Sequence, residues 1–165
     1  MKVSPVQLKH YVLSRVAIQP RDEVTLNFVK NSEDEIQDWR GVLLNSGIEF
    51  GWADGQGDDL RTFALRLRLQ IPNEMGTTKS YNVDLESIGY FELIGDLPIE
   101  EREDIAKVNG ASLLYGVLRE VLFSLTARFP RGPMLLPSVN FFDLKQQGRK
   151  QGTTTDKRTE AEIKS

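Results

Sequence analysis

The chain has 165 residues, enough for one domain and a tail, and its 39% hydrophobic and 27% charged residues are the ordinary balance of a globular protein. It has no Cys and a single His, which excludes disulfides, thiol nucleophiles, Cys-ligated metals and multi-histidine sites. The net charge of −3 is uneven, because residues 145–165 carry six basic against three acidic residues and leave the other 144 at −6; an acidic body repels nucleic-acid phosphates, and the tail has no aromatic ring for base stacking.

The opening MKVSPVQLKHYVL lacks a cationic region followed by an apolar stretch and a cleavage site, and no run of about 18 apolar residues follows anywhere. The expectation is a cytoplasmic protein without membrane insertion. Val6 to Ile18 are rich in β-branched and aromatic residues, stop at Pro20, and place Val12, Ser14, Val16 and Ile18 on one face, which predicts a first strand. Gln19 to Gly47 is too long for a hairpin turn and reads as a crossover connection. Ile48, Phe50 and Trp52 then alternate with Glu49, Gly51 and Ala53, giving a second strand that ends at the turn-rich DGQGDD.

The clearest alternation follows, with Phe63, Leu65, Leu67, Leu69 and Ile71 on one face and Thr62, Ala64, Arg66, Arg68 and Gln70 on the other. Tyr81, Val83 and Leu85 repeat the pattern in a fourth strand. A hairpin centred on Gly76 sets Arg66 opposite Glu86 and Arg68 opposite Asp84, so opposite charges meet across the strands and the two arginines read as paired rather than as an anion site. Gly89 is expected to mark a bulge or bend before Tyr90 to Ile94. Gly55-Gln56-Gly57 lacks the following glycine, lysine and helix start of a nucleotide loop and reads as a turn.

Pro98 with Glu100 and Glu101 signals a helix start, and Asn109-Gly110 is expected to end that helix. A second helical stretch runs from about Ala111 to Arg128, and its apolar residues overflow one stripe. Leu114, Leu118, Val121 and Leu125 form one face, while Leu113, Tyr115, Val117, Leu122 and Phe123 cover much of the rest. One side belongs on the sheet, and the other needs a partner, most simply another subunit. Pro130, Gly132, Pro133 and Pro137 make the next stretch extended; beyond Leu144 only Ile163 is strongly apolar, so residues 1–144 read as the domain and 145–165 as a polar, disordered tail.

Leu114-Tyr115-Gly116-Val117-Leu118-Arg119-Glu120, followed by Leu136-Pro137-Ser138-Val139-Asn140-Phe141, resembles the SecB family of chaperones, with further support from Gly89-Tyr90-Phe91-Glu92-Leu93-Ile94-Gly95. The resemblance spans roughly residues 6–144. It implies an α+β fold, a four-stranded antiparallel sheet with a long helix in the C-terminal half, assembled as a homotetramer that holds unfolded polypeptides without ATP or any cofactor. Carried onto this sequence, it implies a client groove containing Phe28, Trp39, Leu43, Leu44, Met134, Leu135 and Phe142, and an oligomer interface containing Leu114, Val117, Leu118, Val121, Leu122 and Leu125. Of the adjacent Phe141 and Phe142, one is expected to pack inward and the other to stay near the surface, because consecutive side chains point in different directions.

Export members of the family dock on the ATPase SecA through acids on the outer sheet face, and Asp84 sits at a matching place. The first strand departs from that pattern, with Arg15 and Gln19 where acids are expected, and where family members continue into an amphipathic helix this chain continues Phe142-Asp143-Leu144-Lys145-Gln146-Gln147-Gly148, so any helix there is expected to be short. The pattern therefore fits the SecB-like chaperones of toxin–antitoxin systems, with antitoxin clients, at least as well as export factors. An oligomeric adaptor that binds one specific partner is the alternative from another class. Nothing assembles into a nucleophile, base and oxyanion-donor set, so an enzyme ranks below both. Because an unpacked polar tail contributes little folding energy, deletion of residues 148–165 is expected to leave unfolding free energy within about 1 kcal/mol of the full chain by chemical denaturation.

Overall fold

The computed structural model describes residues 3–20, 44–71, 81–129 and 131–145. Among the described residues four strands, β1 (Val6–Pro20), β2 (Asn45–Trp52), β3 (Thr62–Ile71) and β4 (Tyr81–Leu93), precede a long helix, α1 (Ile99–Thr126). They form one antiparallel sheet in the order β1-β4-β3-β2, with α1 packed on one face, which is the α+β architecture expected. No described helix is long and apolar enough to cross a membrane. Pro20 is paired with Tyr81 at one edge and Asn45 with Gln70 at the other, so the connection of 24 residues between β1 and β2 starts and ends at the same end of the sheet.

The helix-facing side of the two central strands is the core. Phe63, Leu65, Leu67, Leu69 and Ile71 of β3 lie beside Tyr81, Val83, Leu85, Phe91 and Leu93 of β4, all at most 4% exposed. Ser87 is the polar member of that face, satisfied by donating from Oγ to the Val12 carbonyl at 3.1 Å. Leu114, Leu118 and Leu122 of α1 close the core from above. An α-helix is about 10 Å wide and strands lie about 4.8 Å apart, so one helix covers two strands fully and leaves the flanking two partly uncovered. Half-exposed Tyr11, Leu13 and Val16 on β1, and half-buried Ile48, Phe50 and Trp52 on β2, follow from that mismatch.

Four expectations need correction. Asn109-Gly110 does not end a helix: α1 runs through it, Asn109 donates to the Ile105 carbonyl at 3.1 Å, and Gly110 is buried where a Cβ would stand 3.2 Å from Phe63 and 3.3 Å from Leu65. The glycine serves close helix-to-sheet approach rather than termination. Gly89 likewise sits inside an unbroken β4, where a Cβ would meet the Phe91 ring at 2.6 Å and Leu114 at 2.8 Å.

The bulges lie in β1 instead, between Leu8 and His10 and between Leu13 and Arg15. Each extra residue flips the alternation, so Tyr11, Leu13, Val16 and Ile18 share the helix-facing side while Val12 turns to the outer face, and the expected set Val12, Ser14, Val16, Ile18 is broken. Finally, the β3–β4 register is two residues away from a hairpin centred on Gly76: Arg68 faces Glu86, Gln70 faces Asp84 and Arg66 faces Ile88. A two-residue slip keeps every side chain on its face, which is why alternation could not detect it.

Loop geometry fixes the other end of the sheet. Gly55 and Gly57 have φ of 80° and 61°, and the Gln56 side chain fills the β2–β3 turn, donating to the Ala53 and Thr62 carbonyls and accepting from Arg61 and Thr62 N–H at 2.6–2.8 Å. Buried Arg102 pins that turn to the start of α1 through Asp59 at 2.6 Å and the Leu97 carbonyl at 3.1 Å. The close approaches make a paired prediction: Gly89→Val is expected to cost about 1–3 kcal/mol by overpacking, while Gly116→Ala, on an open helix surface with nothing within 4 Å, should stabilise by up to about 1 kcal/mol. Chemical denaturation of the two variants checks both signs.

Candidate functional site

Along β2 the helix-facing side chains are not covered by α1. Phe50 and Trp52 stand half-buried in an aromatic cluster, edge-to-face with each other at 5.1 Å and against Phe63 at 5.3 and 5.8 Å, with Phe63 stacked on Phe91 at 4.9 Å. Lys107 of α1 lies 5.3 Å from the Phe50 ring centroid and pairs with Glu103 one turn earlier. Six residues of extended chain separate Trp52 from Ser46, so this apolar shelf is about 20 Å long.

At its Leu44 end the shelf opens into a cleft of about 190 Å³. The cleft is lined by Leu44, Ser46 and Ile48 from β2 and the residue before it, by Leu69 of β3 and Tyr115 of α1, and by Val139, Asn140, Phe141, Asp143 and Leu144 from the chain after α1. The volume is on the order of the ~150 Å³ that admits a benzene-sized group, so the cleft as it stands takes one leucine- or phenylalanine-sized side chain. Tyr115 is held in place by donating to the Pro137 carbonyl at 2.5 Å and by an edge contact with Phe141 at 5.7 Å; burial pushes its hydroxyl up to about 12.

The expected groove residues separate. Leu44 lines the cleft, Leu135 and Phe142 are exposed and are not part of its lining, and Met134 is 2% exposed and belongs to the core. Its backbone N–H donates to Thr126 Oγ1 at 2.8 Å, which seats the side chain inward. Phe28, Trp39 and Leu43 lie outside the described residues. Phe141 packs inward and Phe142 stays 59% exposed, as opposite side-chain directions require. Of the expected oligomer interface, Leu114, Leu118 and Leu122 are 0% exposed within one chain and have no surface left to bury; Val117 and Val121 are half-buried and Leu125 is exposed. Ile48, Phe50, Trp52, Val139 and Leu144 were missed as site residues. Ile48, Phe50 and Trp52 have the strand pattern of any buried face, and only the edge position of β2 turns it into a groove; Val139 and Leu144 lie in the chain after α1, where no periodicity marks them.

The opposite, outer face of the sheet is charged and self-paired. The strands carry Lys9, Arg15, Arg66 and Arg68 against Glu49, Asp84, Glu86 and Glu92. Asp84 accepts a two-pronged pair from Arg68 at 2.9 and 2.7 Å and a longer contact from Arg15 at 3.4 Å; Arg66 reaches Glu49 at 2.7 Å and Glu86 only at 3.9 Å; Lys9 pairs with Glu92 at 2.7 Å. The Arg–acid pairs foreseen thus form diagonally rather than directly opposite. Arg68 hydrogen bonding holds the Asp84 carboxyl below its ordinary range, with Arg15 adding to it.

No family model matches the chain, and no curated protein matches it. Among solved structures, the chain is similar to the SecB-like chaperone of Mycobacterium tuberculosis in complex with a ChAD peptide from the HigA1 antitoxin, at 21% identity and TM-score 0.47 over 82% of this chain and 91% of that one. It is also similar to a protein of unknown function from Streptococcus agalactiae, at 16% identity and TM-score 0.45 over 81% and 97%.

A carboxylate whose folded-state pKa is lowered contributes stability above its unfolded pKa of about 3.9 and loses it as pH falls through the folded value. Asp84→Asn is therefore expected to lower stability at neutral pH and to flatten the acid limb below about pH 4, read from denaturation midpoints across pH.

Proposed function

We propose that the chain is an ATP-independent chaperone that holds non-native polypeptide segments along the apolar shelf of β2 and in the cleft at its Leu44 end. The observation that carries this reading is a sheet edge whose aromatic side chains α1 leaves only half-buried, next to a cleft sized for one large apolar side chain. The sequence resemblance in 114–120 and 136–141 supports it. Clients bind by burying side chains, at about 25 cal/mol per Å² of apolar area before ordering costs, and the chain works as a cytoplasmic binding protein without catalysis.

The outer face favours antitoxin clients over SecA-dependent export. An acid that docks on a cationic partner must be free to pair, and Asp84 is already engaged by Arg68 and Arg15. Assembly as a homotetramer is part of the proposal, through the α1 flank of Val117, Val121 and Leu125 together with exposed Leu113, rather than through Leu118.

Trp52→Ala is expected to cut suppression of aggregation several-fold for three unrelated denatured clients assayed without ATP, while unfolding free energy falls by less than the ~3–5 kcal/mol of a core aromatic. Unimpaired holding would remove the shelf from the site, and protection of one partner alone would favour the adaptor. For assembly, Val117→Glu should lower the sedimenting species without unfolding the chain, whereas Leu118→Asp should unfold it, because only the second places a carboxylate in a fully buried position.

A further inference from the structure

The chain after α1 is anchored up to Pro137 and then changes character. Tyr81 donates to the Gly132 carbonyl at 2.8 Å, Thr126 Oγ1 accepts from Met134 at 2.8 Å, Met134 and Leu136 are at most 2% exposed, and Tyr115 donates to the Pro137 carbonyl at 2.5 Å. Among the described residues, the hydrogen bonds of residues 138–145 are internal: Phe142 N–H to Asn140 Oδ1, Leu144 N–H to the Phe141 carbonyl, and Lys145 N–H to the Phe142 carbonyl. What attaches this segment to the sheet among the described residues is apolar, namely Phe141 and Leu144 packed on the core at the cleft, with Phe141 against Tyr115. Ser138, Val139, Asn140, Phe142 and Asp143 are exposed.

Two side chains thus occupy the space that a client would need. With both in place the cleft holds about 190 Å³, one side chain's worth, which suits the end of a segment but not its continuation past Leu44. We propose that residues 138–145 form a strap hinged at Pro137–Ser138, whose Phe141 and Leu144 side chains plug the cleft and are displaced when a client segment enters. The proposal rests on the reading of the cleft as a client site. Tyr115 is the latch: its hydroxyl fixes the last anchored carbonyl, and its ring carries Phe141. A plug that competes with client reduces apparent affinity by the fraction of time the cleft is free, and shortening the plug restores it.

The sign of one measurement separates a plug from a wall. Reduced, carboxymethylated α-lactalbumin, a permanently non-native chain, serves as the client in fluorescence-anisotropy titrations of the full-length protein. Phe141→Ala is expected to tighten binding by about tenfold, as when an occupant present roughly nine-tenths of the time is removed, and Leu144→Ala and Tyr115→Phe should each tighten it by a smaller factor and report independently if Phe141→Ala fails to fold. The chain has no cysteine, so spin labels at Gly116→Cys on α1 and Lys145→Cys on the strap, in assemblies diluted with a large excess of unlabelled chain, give one intrachain distance, which should lengthen on client addition and broaden with Tyr115→Phe. Weaker binding in Phe141→Ala with an unchanged distance would overturn the plug and make Phe141 a client-contacting wall, leaving the groove intact. Absence of client binding in wild type and variants alike would overturn the chaperone reading, and an unchanged distance in Tyr115→Phe would overturn the hinge itself.

Discussion

The seating of Leu114, Leu118 and Leu122 on the apolar face shared by β3 and β4 is the contact from which the rest of the molecule takes its shape. Small residues at Ala106, Gly110 and Ala111 let the first half of α1 lie close over Phe63 and Leu65, and Gly89 clears room for Leu114 and Phe91. The helix is thereby fixed over the middle of the sheet. Being about two strands wide, it leaves a strip of apolar face on each side.

The two strips differ because their strands differ. On β1, two bulges invert the alternation between them and collect Tyr11, Leu13 and Val16 on the helix-facing side, where they remain 40–46% exposed. On β2, regular alternation lines up Ile48, Phe50 and Trp52, and the chain returning from α1 closes one end of the strip into a cleft. Tyr81, Thr126 and Tyr115 each spend a polar group on the backbone of that returning chain, which holds it down as far as Pro137. The open apolar strip and the cleft at its end therefore arise from one geometric fact, a helix narrower than its sheet. The outer face shares none of this, since its cations and carboxylates satisfy one another across the strands.

Strand existence and facing were legible because period-two alternation in Phe63–Ile71 and Tyr81–Leu85 has one physical cause, a sheet with one dry side. Glycines misled, because a missing Cβ serves either a bend or a close approach. Gly89 and Gly110 serve the second, and the difference lies in Phe63, Phe91 and Leu114, residues distant in sequence. Met134 and Leu118 look like surface candidates in a chain with more apolar residues than one stripe can hold, yet both are core because Thr126 and the β4 face, respectively, draw them in. Phe50 and Trp52 had the opposite fate, reading as core and standing half-open at an edge.

By itself the sequence determined the class of the fold, four strands and a long apolar helix, since alternation and helical spacing are local properties of the chain. It also determined that the outer face is charged, because Arg66, Arg68, Asp84 and Glu86 occupy the face opposite the leucines in any even register. Strand order was decided only by the tertiary structure, and with it which strand is an edge, which residues a single helix can reach, and which remain as a groove. Those depend on long-range pairing and on the width of a helix against a four-stranded sheet, quantities that no window of the sequence contains.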